Sequence, residues 1–115
     1  MQITHYSEIT PEQVIGDGIK GTTIRWLISK AKGAPNFAMR LFEVEPGGFT
    51  PLHTHEWEHE VFILSGEGKV FNEGEYIPVK PGTAIFVPSM EEHQFRNDGS
   101  TTLQFLCLIP VYAEK

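Results

Sequence analysis

Turn sequences recur about every ten residues along the second half of this 115-residue chain. Four of them are Ser65-Gly66-Glu67-Gly68, Asn72-Glu73-Gly74, Lys80-Pro81-Gly82 and Asn97-Asp98-Gly99. Between them lie runs of about six residues, rich in the β-branched and aromatic types that favour strands. No interior segment of about 12 residues keeps the apolar spacing of an amphipathic helix. The spacing of the turns therefore predicts an all-β chain, folded as an antiparallel sandwich or barrel.

An N-terminal arm at residues 1–20 precedes the predicted strands, and Thr10-Pro11-Glu12-Gln13 within it has the residue types of a short helical turn. Pro46-Gly47-Gly48 is predicted as the turn that ends the second strand. The predicted strands are Thr22–Ser29, Asn36–Glu45, Phe49–His55, Glu58–Leu64, Gly68–Asn72, Glu75–Val79, Thr83–Val87, Glu92–Asn97 and Thr102–Ile109.

Apolar residues of the last predicted strand alternate between two faces. The face expected to line the barrel interior carries Leu103, Phe105, Cys107 and Ile109. Leu106 and Leu108 lie on the opposite face. They would need cover from another sheet, from the N-terminal arm or from a partner subunit.

Charge and composition exclude several classes of partner. The net charge is −6 and the nine Lys and Arg residues are scattered singly, so we expect no nucleic-acid partner. No apolar run reaches about 18 residues, so we expect no membrane span. The first residues lack a secretory signal, and the lone Cys107 cannot form an internal disulfide. A reducing, cytoplasmic location is predicted.

Three of the five histidines lie within seven residues, in the segment His53-Thr54-His55-Glu56-Trp57-Glu58-His59. Side chains two apart in a strand point to the same face, so His53 and His55 would project together, and His59 keeps their parity. Neutral imidazoles that converge inside a barrel are satisfied by a divalent cation. The cluster therefore predicts a metal site rather than a histidine-rich surface loop.

Two longer motifs surround these histidines. The first is Gly47-(five residues)-His53-Thr54-His55-(three residues)-His59-(six residues)-Gly66, and the second is Gly82-(five residues)-Pro88-Ser89-Met90-(two residues)-His93-(three residues)-Asn97. In order and spacing they resemble the two motifs of the cupin family. The resemblance covers residues 46–97 closely, and the flanking strands fit the same barrel.

This resemblance implies one cupin domain over residues 1–115, an RmlC-like jelly-roll barrel (a double-stranded β-helix) with motifs at about 47–66 and 82–97. It also implies that His53, His55 and His93 bind a metal. Two positions depart from the family pattern: His59 replaces the usual glutamate and Met90 the usual glycine. The four-histidine set resembles a manganese-binding subgroup of small cupins, and the resemblance implies a homodimer.

Glu60 competes with His59 as the fourth ligand, since a spacing of four residues after His55 also fits the family. Strand parity places residue 59 on the face of His53 and His55. Six residues lie between His59 and Gly66, as the motif requires, but only five lie between Glu60 and Gly66. A β-bulge would reverse this preference.

The predicted cofactor is one divalent transition metal per chain. Imidazole ligands suit Mn, which the subgroup favours, and also Fe, Ni, Co, Cu and Zn. Histidine in place of glutamate leaves the metal its full charge, which favours an anionic or oxygen-rich small molecule. Because only neutral histidine binds metal, occupancy should fall below about pH 6.

Four further residues are candidates for the pocket, and each has a second interpretation. Arg40 is either a partner for an anionic substrate or a solvated surface residue. Cys107 lies near the metal or in plain core, Phe95 lines the pocket or packs in the core, and Trp57 walls the site or anchors a turn. His5 lies outside both motifs and is predicted at the surface.

Two functions remain open from the sequence. The first is a metal-dependent enzyme of the oxidoreductase or dioxygenase type acting on a small molecule, with no catalytic residue assigned. The second is a non-catalytic cupin that binds or senses a small molecule, because fold does not fix function.

Overall fold

A computed structural model describes residues 1–114 of the chain, and strands make up most of its regular structure. The strands are β1 (Glu12–Gln13), β2 (Lys20–Ile28), β3 (Phe37–Phe49), β4 (His59–Ser65), β5 (Gly68–Asn72), β6 (Glu75–Val79), β7 (Ala84–Val87), β8 (Phe95–Arg96) and β9 (Leu103–Pro110). Short 3-10 helices cover Tyr6–Glu8, Lys30–Lys32 and Val111–Ala113. None of the helices within residues 1–114 is long and apolar enough to cross a membrane.

The strands form one curled antiparallel sheet in the order β6-β5-β8-β3-β9-β4-β7. β2 is outside this order: it also pairs with β3, and β1 pairs with β2. This arrangement confirms the all-β prediction. Its long-range pairing brings the two histidine motifs, which are distant in sequence, to the same end of the curled sheet.

The segment Pro46-Gly47-Gly48 lies inside β3 as a bulge, so the predicted turn at this position is wrong. Thr22 pairs with Val44, whereas Lys20, two residues earlier, pairs with Phe49. Gly47 has a φ of +82°, and a Cβ on Gly48 would lie 2.6 Å from the Lys20 carbonyl oxygen. The glycines that suggested a reverse turn therefore let β3 bend while it stays paired.

Two predicted strands are largely irregular. Instead of a strand over 49–55, the chain leaves β3 at Phe49, and His53 forms only an isolated bridge with His93. Likewise β8 is shorter than the strand predicted over 92–97. The helical turn predicted at residues 10–13 is also wrong, because Glu12–Gln13 pairs with β2.

The core lies inside the curl of the sheet. The alternation predicted for β9 is observed, since Leu103, Phe105, Cys107 and Ile109 are buried. On the outer face Leu106 and Leu108 are half-buried and lie beside Phe62 and Phe86, which are 44% and 57% exposed. The N-terminal arm pairs with β2 rather than with β9.

Candidate metal centre

The backbone brings the two motifs together at the isolated bridge. The His53 N–H donates to the His93 carbonyl at 3.2 Å, and the His93 N–H donates to the His53 carbonyl at 3.1 Å. Met90 N–H donates to the His55 carbonyl at 2.8 Å. Met90 has a φ of +67°, a left-handed conformation that glycine adopts more easily, which explains the glycine usual at this family position.

The four predicted histidines converge. Ring centroids are 5.1 Å apart for His53 and His55, 4.7 Å for His53 and His93, and 4.8 Å for His55 and His93. His59 lies 4.5 Å from His55 and 5.0 Å from His93. Nitrogen atoms of His53, His55 and His93 all lie within 4.8 Å of one another, a group that can hold a metal ion.

Backbone carbonyls fix the tautomers of two rings. The Nδ1–H of His55 donates to the Trp57 carbonyl at 2.8 Å, and that of His93 donates to the Glu91 carbonyl at 2.9 Å. A carbonyl only accepts, so the Nε2 atom of each ring carries a lone pair. Nε2 of His55 is buried and has no hydrogen-bond partner within the described chain. An orphaned buried lone pair among other imidazoles fits a divalent cation.

The Nδ1 side of the His59 ring contacts a thiol and a guanidinium. Its Nδ1 lies 3.2 Å from Cys107 Sγ and 3.4 Å from an Arg40 terminal nitrogen, which donates to the same sulfur at 3.0 Å. When the sulfur accepts from Nδ1 of His59, the lone pair on Nε2 is left for a cation. Glu60 is exposed on the outer face beside Phe86, so it points away from the other imidazoles.

Burial keeps the imidazoles neutral. The pKa of His59 is lowered to about 2, first by burial and then by the Arg40 charge and the other rings. The pKa of His53 is lowered to about 4 by partial burial and by His93 and His55. Burial also lowers the pKa values of His55 and His93. Proton competition with a metal therefore begins below the pH of about 6 expected for ordinary imidazoles.

The histidines form one end of a cavity of about 430 Å³. All four pocket candidates lie in its wall. Trp57 stacks on the His55 ring with centroids 4.4 Å apart, Phe95 stacks on Phe105, and Cys107 both packs in the core and touches His59. Burial raises the pKa of Cys107, so it is a thiol at neutral pH. Arg40 is half-buried and lies in the cavity wall.

Part of the wall was not predicted from the sequence. The unpredicted lining includes Glu12, Gln13, Val14, Ile15, Ile24, Trp26, Phe42 and Phe105. The β2–β3 register pairs Trp26 with Arg40 and Ile24 with Phe42, so these four residues share one face. Arg40 and Phe42 are two residues apart in one strand, which could have indicated that they share a face. The sequence of the N-terminal arm contains no comparable signal that residues 12–15 line the cavity.

Comparisons with known proteins agree with this geometry. The family model described as a cupin domain (Cupin_2) matches residues 40–109. An oxalate-binding protein of Thermotoga maritima is 39% identical over 93% of this chain and 92% of its own length. A 1-methylthio-D-xylulose 5-phosphate methylsulfurylase of Rhodospirillum rubrum is 35% identical over 67% of this chain, which spans 49% of that relative.

Two solved structures have a similar fold. The polyketide cyclase RemF of Streptomyces resistomycificus has a TM-score of 0.92 and 40% identity, over 96% of this chain and 80% of its own. A predicted oxalate decarboxylase of Thermotoga maritima has a TM-score of 0.84 and 35% identity, over 95% of this chain and 98% of its own. The curled sheet is thus a fold already seen in experimental structures.

Proposed function

This chain belongs to the cupin family, and from that premise we propose that it binds one divalent transition metal and acts on a small anionic or oxygen-rich molecule. Family membership confirms the jelly-roll fold expected from the two motifs. The observation that carries the proposal is the orphaned, buried Nε2 of His55 among the grouped nitrogens of His53 and His93.

The proposed ligands are His53, His55 and His93, with His59 as the fourth. Manganese is the proposed ion, and Fe, Ni, Co, Cu and Zn also suit imidazole. When bound, the metal would supply a Lewis acid or redox centre for an oxygen-rich ligand. Support for a fixed ligand set comes from the Trp57 and Glu91 carbonyls, which orient two of the rings.

The chain's own residues bind and enclose the ligand in this proposal. Arg40 offers N–H donors to an anionic group, and the apolar wall excludes water around it. We propose an oxygenase-like enzyme, since the cavity wall offers Glu12 at its mouth as the sole carboxylate within residues 1–114. Chemistry that needs a deeply placed carboxylate base is therefore less compatible with the site.

A non-catalytic binding cupin is the second candidate. The same scarcity of acid–base groups favours it, as does the name of the Thermotoga maritima relative, which is an oxalate-binding protein. The two candidates differ in turnover. Metal-loaded protein incubated with a bound ligand under air should change the ligand's mass if the protein is an enzyme, and should return it unchanged if it only binds.

A homodimer is part of the proposal. An apolar outer face runs across β4, β7 and β9 and consists of Phe62, Phe86, Leu106 and Leu108. We propose that a second copy of the chain covers this face. The cytoplasmic location stays a prediction from the lone cysteine.

Elemental analysis of untagged protein tests the metal site. We expect about one transition-metal ion per chain, and a sharp fall in His55→Ala and His59→Ala. His5→Ala is the matched control, because His5 is exposed and bonds to Ser7 in the arm. A parent protein that takes up no metal after incubation with each candidate ion would overturn the proposal.

A further inference from the structure

We propose that the cavity takes a ligand in two parts: an anionic oxygen head that pairs with Arg40, and a flat apolar body of roughly two fused rings that lies against the aromatic wall. This inference rests on the proposed function, because the head would also meet the metal. It goes further in naming a substrate class and the residue that selects its charge.

Arg40 forms no ion pair with any carboxylate among residues 1–114. Its guanidinium carbon lies 4.9 Å from the Phe42 ring centroid and 5.6 Å from that of Trp26. Its Nε is buried, and among the residues that the structure describes it has no hydrogen-bond partner. A half-buried arginine with unused donors is stabilised by an anion bound in the same cavity.

Neither neighbouring group removes the need for an anion. Cys107 accepts one Arg40 donor at 3.0 Å, but sulfur is a weak acceptor. Glu12 lies in the cavity wall but forms no ion pair with Arg40. The guanidinium therefore retains both its charge and unused donors for a ligand.

The cavity is much larger than an anionic head alone. A volume of about 430 Å³ falls in the range of roughly 300–1,000 Å³ that holds drug-sized ligands. Most of its wall beyond the histidines is apolar and includes Trp26, Phe42, Phe95 and Phe105, while Glu12, Gln13, Thr22 and Thr50 add polar groups. A two-carbon diacid would leave this wall facing water. A flat ring system would instead bury it and stack on the aromatic faces.

The mouth of the cavity gives independent support. Val14 and Ile15 lie in its lining, and Ile15 is 88% exposed. An isolated exposed isoleucine is ordinary, but here it continues an apolar wall to the surface. A ligand whose body extends from Arg40 to the mouth would cover it.

Calorimetric titration of manganese-loaded protein tests both parts with three probes. An ortho-hydroxynaphthoate has the head and the body, oxalate has the head alone, and naphthol has the body without the carboxylate. We expect the hydroxynaphthoate to bind at least about tenfold more tightly than either of the others, because only it uses both Arg40 and the aromatic wall.

Two variants separate head from body. Arg40→Met should weaken hydroxynaphthoate binding by about 10- to 100-fold and leave naphthol unchanged. Arg96→Met is the matched control, since Arg96 also lies over an aromatic ring, Tyr76, but is exposed outside the cavity. Ile24→Trp places a larger side chain in the wall and narrows the cavity. It should therefore weaken the binding of both naphthalene probes and leave oxalate binding unchanged.

The outcomes distinguish this inference from the proposed function. Oxalate binding as tightly as hydroxynaphthoate, or Arg96→Met acting like Arg40→Met, would overturn the two-part ligand while the metal site stands. Metal content and thermal unfolding of each variant are measured first. A variant that has lost metal or fold is replaced by Arg40→Gln, which keeps a polar side chain at this position. A parent protein without metal would instead count against the proposed function. In that case naphthol would test the apolar body alone. Weaker naphthol binding to Ile24→Trp than to the parent would support the aromatic wall as its binding site, and equal binding would overturn it.

Discussion

His59 and His55 show how much of a candidate metal centre is decided by what surrounds its histidines. Two residues of one segment have different supports: a backbone carbonyl and the Trp57 ring for His55, and Cys107 with Arg40 for His59. Histidine spacing predicted which rings would meet. It could not predict these supports, because Cys107 and Arg40 reach His59 from other strands through long-range register.

The neutral imidazoles should make the metal-free protein sensitive to acid. In the folded chain the pKa of His53 is about 4 and that of His59 about 2, both below the ordinary 6.5. The unfolded chain therefore binds more protons below pH 6.5. Stability is fully retained above that value and falls as the pH drops through it toward 4.

Thermal unfolding of metal-free protein across this pH range measures the effect. We expect a falling midpoint, and a smaller fall in His59→Phe, which removes one buried imidazole but keeps an aromatic ring. His5→Phe should follow the parent. An acid-independent midpoint in the parent between pH 6.5 and 4 would show that folding does not lower the pKa values of these two histidines.

At the scale of elements, the bulge within β3 shows why the sequence predicted the fold better than the cavity wall. Strand composition and turn spacing were enough to place most strands. Pro46-Gly47-Gly48 has the residue types of a turn, and only pairing with Lys20 and Asn97 makes it a bulge. Beyond the bulge, the long-range pairing of β2 with β3 places Trp26 beside Arg40 and Ile24 beside Phe42. Local sequence pattern does not contain this pairing, so it could not give the aromatic wall.

Gly48→Ala tests the role of the bulge. An added Cβ would meet the carbonyl oxygens of Lys20 at 2.6 Å and Glu45 at 2.9 Å, and these belong to the backbone and cannot move aside cheaply. We expect a loss of about 1–3 kcal/mol in the free energy of unfolding by urea. Gly99→Ala is the control, because its Cβ would have no neighbour nearer than 3.4 Å. Equal losses in both variants would contradict the bulge argument.

At the scale of the whole molecule, one apolar face remains to be explained. The inner faces of the strands are buried in the core and the cavity, and the net charge of −6 is spread over the surface. Phe62 and Phe86 nevertheless stand 44% and 57% exposed beside Leu106 and Leu108. Sequence alternation identified the two leucines, but their phenylalanine neighbours come from β4 and β7, which only the sheet order brings beside them.

If a second copy of the chain binds this face, a charged residue introduced there should dissociate the dimer. We expect the parent to sediment as a dimer and Phe86→Glu as a monomer, because a carboxylate buried without a partner strongly disfavours association. Ile77→Glu is the control: Ile77 is 39% exposed on β6, at the far end of the sheet order from β7. Sedimentation equilibrium measures all three. A monomeric parent would refute the dimer. A dimer that survives Phe86→Glu but dissociates in Ile77→Glu would move the interface to the β5–β6 side of the barrel, leaving the β4–β7–β9 face to another partner.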